Sequence, residues 1–123
     1  MTDLTNLGAK AFRDGVAAGD FSAREVAESF NAAVAEAAEL NAFIVTTPDH
    51  ALASADAVDA KRAAGEDLGA MGGVPIGMKD LFATHGVQTT AASHILEGFP
   101  PQYESTVSQN LWNAGAGMLG KLN

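Results

Sequence analysis

Cysteine is absent from these 123 residues, which removes disulfides, thiolate catalysis and cysteine-based metal sites from consideration. Basic residues are scarce: 7 Lys and Arg stand against 15 Asp and Glu, a formal net charge of −8. So acidic a chain is poorly suited to charge-driven binding of nucleic acid or of anionic membranes. No apolar run approaches the roughly 20 residues of a membrane-spanning helix. The start, Met1-Thr2-Asp3-Leu4-Thr5, has neither the basic region nor the apolar core of a signal peptide. A cytoplasmic soluble protein is the expectation. His50, His85 and His94 share no metal-ligand spacing, so no metal site is expected; His50 is read as a solvated residue at a helix start.

What is present describes a globular chain. Apolar residues make up 47% and charged residues 18%, a balance that excludes disorder. The length suits one domain, burying roughly two thirds of its unfolded surface. Residues 1–65, rich in alanine and acidic side chains, are expected to form a helical lead-in with one short strand. Residues 66–123, richer in glycine and β-branched residues, are expected to begin an α/β core. Leu4 to Ala18 reads as one helix with Leu4, Leu7, Ala11 and Phe12 on its inner face, stopped by Gly19. Ser22-Ala23-Arg24-Glu25 is a capping box opening a second helix, with Val26, Phe30, Ala33, Val34 and Ala37 as its stripe. Ala42 to Thr46 is a strand. Thr47-Pro48 reads as an N-cap followed by proline at the first helical position, and Gly65 ends that helix. Pro75 to Leu81 is a strand, and Gly86 to Thr90 reads as a turn into an extended segment. Ser105 caps a helix through Asn113 with Val107, Leu111 and Ala114 inward, and Gly117 to Lys121 starts a further strand. Helices alternating with strands across long connections favour a parallel or mixed sheet.

Several chemical signals compete. Gly115-Ala116-Gly117-Met118-Leu119-Gly120-Lys121 has phosphate-loop spacing, but Leu122 stands where Ser or Thr must reach Mg²⁺. It also lies between helix and strand in the wrong order, so nucleotide binding is set aside. The acidic pairs Glu66/Asp67 and Asp56/Asp59 read as solvated helix faces or termini. Ser93, after Thr89-Thr90-Ala91-Ala92, reads first as a loop serine bonded to backbone and second as a residue that lets a ligand approach. The run Gly72-Gly73-Val74-Pro75-Ile76-Gly77-Met78-Lys79-Asp80 is the most pointed feature. Lys79-Asp80 can be an exposed pair. Alternatively, a lysine delivered from an apolar strand is badly solvated, its ammonium form is disfavoured, and it can act as a base near neutral pH.

From Gly72 to Asn123 the chain resembles the amidase-signature family. The resemblance is carried by Gly73-Val74-Pro75-Ile76 with Lys79-Asp80, by Gly86-Val87 with Thr89-Thr90-Ala91 and Ser93, and by Gly120-Lys121-Leu122-Asn123. The stretch from Ile95-Leu96-Glu97-Gly98-Phe99 through Tyr103-Glu104-Ser105-Thr106-Val107 is similar to the branch serving tRNA-dependent amidation of glutamyl-tRNA(Gln) and aspartyl-tRNA(Asn). Residues 1–65 match more loosely, through Leu40-Asn41-Ala42-Phe43. The fold implied is the α/β amidase-signature fold, a mixed sheet covered by helices.

The chemistry implied is amide hydrolysis by a Ser–cis-Ser–Lys triad, with Lys79 matching the catalytic lysine. The family's two serines fall downstream of Gly120-Lys121-Leu122-Asn123, and none of Ser22, Ser29, Ser54, Ser93, Ser105 or Ser108 occupies their positions. The chain is therefore expected to be the N-terminal portion of a longer domain and to be inactive alone. Substrate-binding residues are unknown. The resemblance further implies glutamine as substrate of the full enzyme, partner subunits B and C, tRNA handled mainly by the partner, no membrane, and no cofactor in this chain. ATP and Mg²⁺ would be used by a partner in the full complex. The alternatives are a general small-amide amidase and a non-catalytic folding or assembly fragment.

Overall fold

The computed structural model describes residues 3–123; Met1 and Thr2, which open the N-terminal stretch read above, lie outside them. The single helix expected from Leu4 is broken in two. Leu4–Asn6 forms a 3-10 turn capped by the Asp3 carboxylate, and α1 (Ala9–Ala18) starts after an extended Gly8. The break rotates the buried face, so that Phe12, Gly15 and Val16 are inward and Ala11 is exposed. Gly19 closes the helix at φ 84°, as its position predicts.

The capping box holds at α2 (Ala23–Glu36): Ser22 Oγ accepts from the Glu25 amide at 3.0 Å, and Glu25 Oε2 accepts from the Ser22 amide at 2.7 Å. The acidic residues of the next helix are not merely solvated. Asp59 accepts from the amides of Ala23 and Arg24 at 2.9 and 3.0 Å, and Asp56 pairs with the Arg24 guanidinium at 2.8 Å. Those carboxylates satisfy free amides in the first turn of α2, a role invisible without knowing that the two helices are neighbours.

Three strands form one mixed sheet in the order β1-β3-β2: β1 (Phe43–Thr46), β2 (Pro75–Lys79) and β3 (Gly117–Leu122). β1 pairs with β3 antiparallel and β2 pairs with β3 parallel. Between β1 and β2 lies α3 (Pro48–Ala63), with proline at its first position as expected. Thr47 does not cap it; the hydroxyl donates instead to the Met118 carbonyl at 2.8 Å, tying the helix start to β3. The core gathers Phe12 and Val16 of α1, Val26 of α2, Val58 of α3, Val74 and Leu119, with Phe30 edge-on to Phe12 at 5.4 Å. Residues from both halves of the chain thus share one core.

The sheet is irregular on both sides of β3. Ile76 pairs with Met118 and Gly77 with Gly120, leaving Leu119 as an extra residue; Phe43 and Val45 pair with Leu122 and Lys121, leaving Ile44 extra in β1. An extra residue re-aims the side chains that follow. Leu119 enters the helix-side core, whereas Lys121, two positions on, reaches the loop after β2. The last helix, α4 (Thr106–Asn113), starts at Ser105 as predicted, with Ser105 Oγ accepting from the Ser108 amide at 3.2 Å. Its inner face differs from expectation. Val107 is exposed and Ser108 is buried, because the Ser108 hydroxyl is held by Glu104 and by the Ala83 carbonyl.

Candidate active site

Lys79 ends β2, and a small open cleft forms beside it, lined by Lys79, Asp80, Leu81, Ala91, Ala92, Leu122 and Asn123. The expectation that the apolar strand would desolvate Lys79 is not met: Lys79 is exposed. The reason is the pleat. Met78 and Lys79 point to opposite faces, and it is Met78 that is buried, at 3% exposure. The apolar neighbours in the sequence therefore say nothing about the face on which the lysine emerges.

The buried lysine is another. Lys121 is completely buried and donates from Nζ to the Phe82 carbonyl at 2.6 Å and to Thr89 Oγ1 at 3.0 Å. Burial pushes its pKa below the usual lysine value, opposed by the negative charges of Asp80 and Glu104. Sequence reasoning met Lys121 as the end of a false phosphate loop, as a strand residue and within the motif Gly120-Lys121-Leu122-Asn123, but with no role of its own. Asp80, 1% exposed, sits beside Lys79 on the buried face. Its Oδ2 accepts from the Thr90 amide at 3.1 Å, the Thr90 hydroxyl at 2.5 Å and the Ala92 amide at 3.4 Å. The turn so held contains two consecutive non-glycine residues in the left-handed region, Ala91 at φ 52° and Ala92 at φ 60°.

Ser93 behaves as the loop serine: its Oγ accepts from the Ile95 amide at 3.3 Å, and its residue lines a groove adjoining the cleft through Ala92 and Asn123. His85 and His94 are exposed, and His94 lies 3.0 Å from Glu97. Among the described residues no group of three or more acidic or histidine side chains is arranged for a metal ion, and no helix is long and apolar enough to cross a membrane.

His50 departs from its solvated reading. Its ring packs on Trp112 at 4.8 Å, and its Nδ1 accepts from the Met118 amide at 3.2 Å. Burial lowers its pKa, with the Glu104 charge opposing. A histidine depressed in the folded state binds fewer protons there than in the unfolded chain, so its stabilisation is complete above the unfolded value of about 6.5 and is lost as pH falls below it. The melting temperature is therefore expected to fall between pH 7 and 5, and His50→Gln should flatten that part of the profile. An unchanged slope in the variant would assign the effect to other groups.

Helices α2 and α3 pack over a mixed sheet with a lysine at the end of its parallel pair, an α/β arrangement that comparison with solved structures identifies as the amidase-signature fold. The fold recurs at TM-score 0.89 in a solved chain from a vestigial protein complex that reveals the origins of an s-triazine catabolic enzyme, 39% identical over 95% of this chain and 26% of that one. It recurs at TM-score 0.89 in the peptide amidase PAM, solved with the competitive inhibitor chymostatin, at 26% identity over 99% of this chain and 26% of that one. Residues 25–123 match the family model described as Amidase, and the chain belongs to that family. Among curated relatives it is 74% identical over its whole length to the A subunit of glutamyl-tRNA(Gln) amidotransferase from Novosphingobium aromaticivorans, and 72% identical to the protein of the same name from Sphingopyxis alaskensis. It spans 25% of the length of each.

Proposed function

We propose that this chain is part of the glutaminase component of a tRNA-dependent amidotransferase, working in the cytoplasm. The observation that carries this reading is the 74% identity, across the whole chain, to the A subunit of a glutamyl-tRNA(Gln) amidotransferase. The complete protein would release ammonia from the glutamine side-chain amide and pass it to partner subunits, where ATP, Mg²⁺ and tRNA are handled and glutamyl-tRNA(Gln) is amidated. The acidic balance of the chain, −8, agrees with leaving the polyanion to a partner.

Lys79 is the base in this reading. Its position at the end of β2, lining an open cleft, suits a group that must reach a substrate. Its amine accepts a proton relayed through a serine in a cis peptide from a second serine, whose oxygen attacks the amide carbon. Ammonia leaves, and water then releases glutamate from the acyl-enzyme. These 123 residues hold the lysine but no serine at the matched positions, so by themselves they are expected to release no ammonia from glutamine.

The similarity to peptide amidase supports a broader amidase as the second reading. Ammonia release separates the two. The full-length protein with its partner subunits should hydrolyse glutamine in preference to a peptide amide, and should deliver nitrogen to glutamyl-tRNA(Gln) when ATP is present. Hydrolysis of peptide amides with no transfer to tRNA would select the broader enzyme.

A further inference from the structure

Behind Lys79 lie two buried charges that the proposed chemistry does not use, and they grip successive residues of one loop. Lys121 holds Thr89 through its hydroxyl, and Asp80 holds Thr90 through both amide and hydroxyl. Asp80 reaches further along the same turn. Its Oδ2 accepts from the Ala92 amide, and its main-chain carbonyl accepts from the Ala91 amide at 2.7 Å. Its own amide donates to the Leu122 carbonyl at 2.7 Å, which fixes the residue to β3 immediately beyond Lys79. One residue therefore connects the strand that bears the lysine to the turn that forms another wall of the same cleft.

That turn would not hold itself. Two adjacent alanines in the left-handed region are a conformation that L-residues rarely adopt, and such strain persists only where the surroundings impose it. Asp80 Oδ2 supplies the constraint as an acceptor for three donors. Bonds to a carboxylate are shorter and stronger than neutral ones. Asp80 Oδ1 is buried without a hydrogen-bond partner among the described residues, so Oδ2 makes all of the carboxylate's hydrogen bonds there.

We propose that Asp80 is a positioning residue of the Lys79 site, holding the Thr90–Ala92 turn as a fixed wall of the cleft. The proposal rests on the reading of Lys79 as the base.

The test uses the full-length protein, with glutamine as the probe and kcat expressed per folded enzyme. Asp80→Asn is expected to lower kcat about 100-fold, the scale of an ångström misplacement, with KM changed by less than about threefold. Thr90→Val, which removes the donated hydroxyl and keeps the shape, should lose about tenfold, and Thr90→Ser should recover most of it. Amide hydrogen exchange in Asp80→Asn should accelerate at Ala91 and Ala92 and stay slow along residues 117–122, a local pattern that general destabilisation would not give. Undiminished kcat in Asp80→Asn, equal losses in Thr90→Ser and Thr90→Val, or faster exchange spread through β3 would each overturn the proposal. Should Asp80→Asn not accumulate folded, the two Thr90 variants decide. Lys79→Ala separates the layers. Full activity there sinks the base reading, whereas an inactive Lys79→Ala beside an unimpaired Asp80→Asn sinks the positioning role alone.

Discussion

Lys79→Ala in the full-length protein is expected to lower kcat for glutamine hydrolysis by about 10²–10⁴-fold, the contribution of a positioned acid–base group. The fold should be untouched. Lys79 is exposed, and no hydrogen bond or ion pair of its side chain is found among the described residues, so removing it vacates no packed space and strands no partner. A change in kcat with melting temperature and KM nearly constant would therefore report on chemistry. Lys79→Arg is the sharper probe. It keeps the positive charge and approximate length but cannot give up its proton, so it should be as inactive as alanine if the residue works as a base. If arginine restored activity, the side chain would be serving as a cation and the proton-relay reading would be wrong.

The second large effect is structural. Gly120→Ala should destabilise the protein by about 3 kcal/mol, the upper end of what overpacking a tight interior costs. At Gly120 a Cβ would collide with the Val45 carbonyl oxygen and stand 2.7 Å from Phe43 Cδ1 and 3.1 Å from Thr46 Cα. Two of those three atoms belong to the backbone of β1, which is hydrogen-bonded to β3 in the Thr46↔Gly120 register and cannot retreat alone. Gly77→Ala makes the comparison. Its Cβ would meet mainly Leu122 side-chain atoms, the nearest at 2.5 Å, and a leucine can change rotamer. About 1 kcal/mol is expected there. Chemical denaturation of the two variants checks the difference, and equal costs would refute the distinction between a backbone obstacle and a side-chain one.

What could be read in advance was what depends on near neighbours in the chain. Ser22 and Glu25, Gly19, Gly65, Pro48 and Ser105 mark helix ends through groups within a few residues, and those ends fall where they point. The glycine-flanked motif around Lys79 likewise announces its family, because the residue types themselves carry the resemblance. What could not be read depends on partners far along the sequence. Asp59 caps α2 across 36 positions. Thr47 abandons its own helix for the Met118 carbonyl 71 positions away. Val107 and Ser108 exchange places because Glu104 and Ala83 accept the serine hydroxyl. Lys79 and Lys121 exchanged roles of another kind. An apolar run shows that a strand is buried on some face, but the side on which one lysine leaves it and the other enters the interior is decided by the pleat and by the extra Leu119 in β3. The Asp80–Thr90 contact was hidden in the same way, its ends ten positions apart and the strained turn just beyond Thr90.

The position of β3 at the centre of the sheet sets a timetable for synthesis. β1 leaves the ribosome early, but its hydrogen-bonding partners run from Gly120 to Leu122, and among the described residues β2 pairs with β3 alone. Until that segment emerges, neither of the earlier strands has an edge to join, while α1, α2 and α3 can already dock through Phe12, Val26 and Val58. The nascent chain should therefore pass through a helical intermediate with Phe43 to Thr46 unpaired, and the closing of so long a loop is the slow, entropically costly step. During that interval β1 would lack its strand partner, and an unpaired strand is the kind of edge that joins a neighbouring polypeptide.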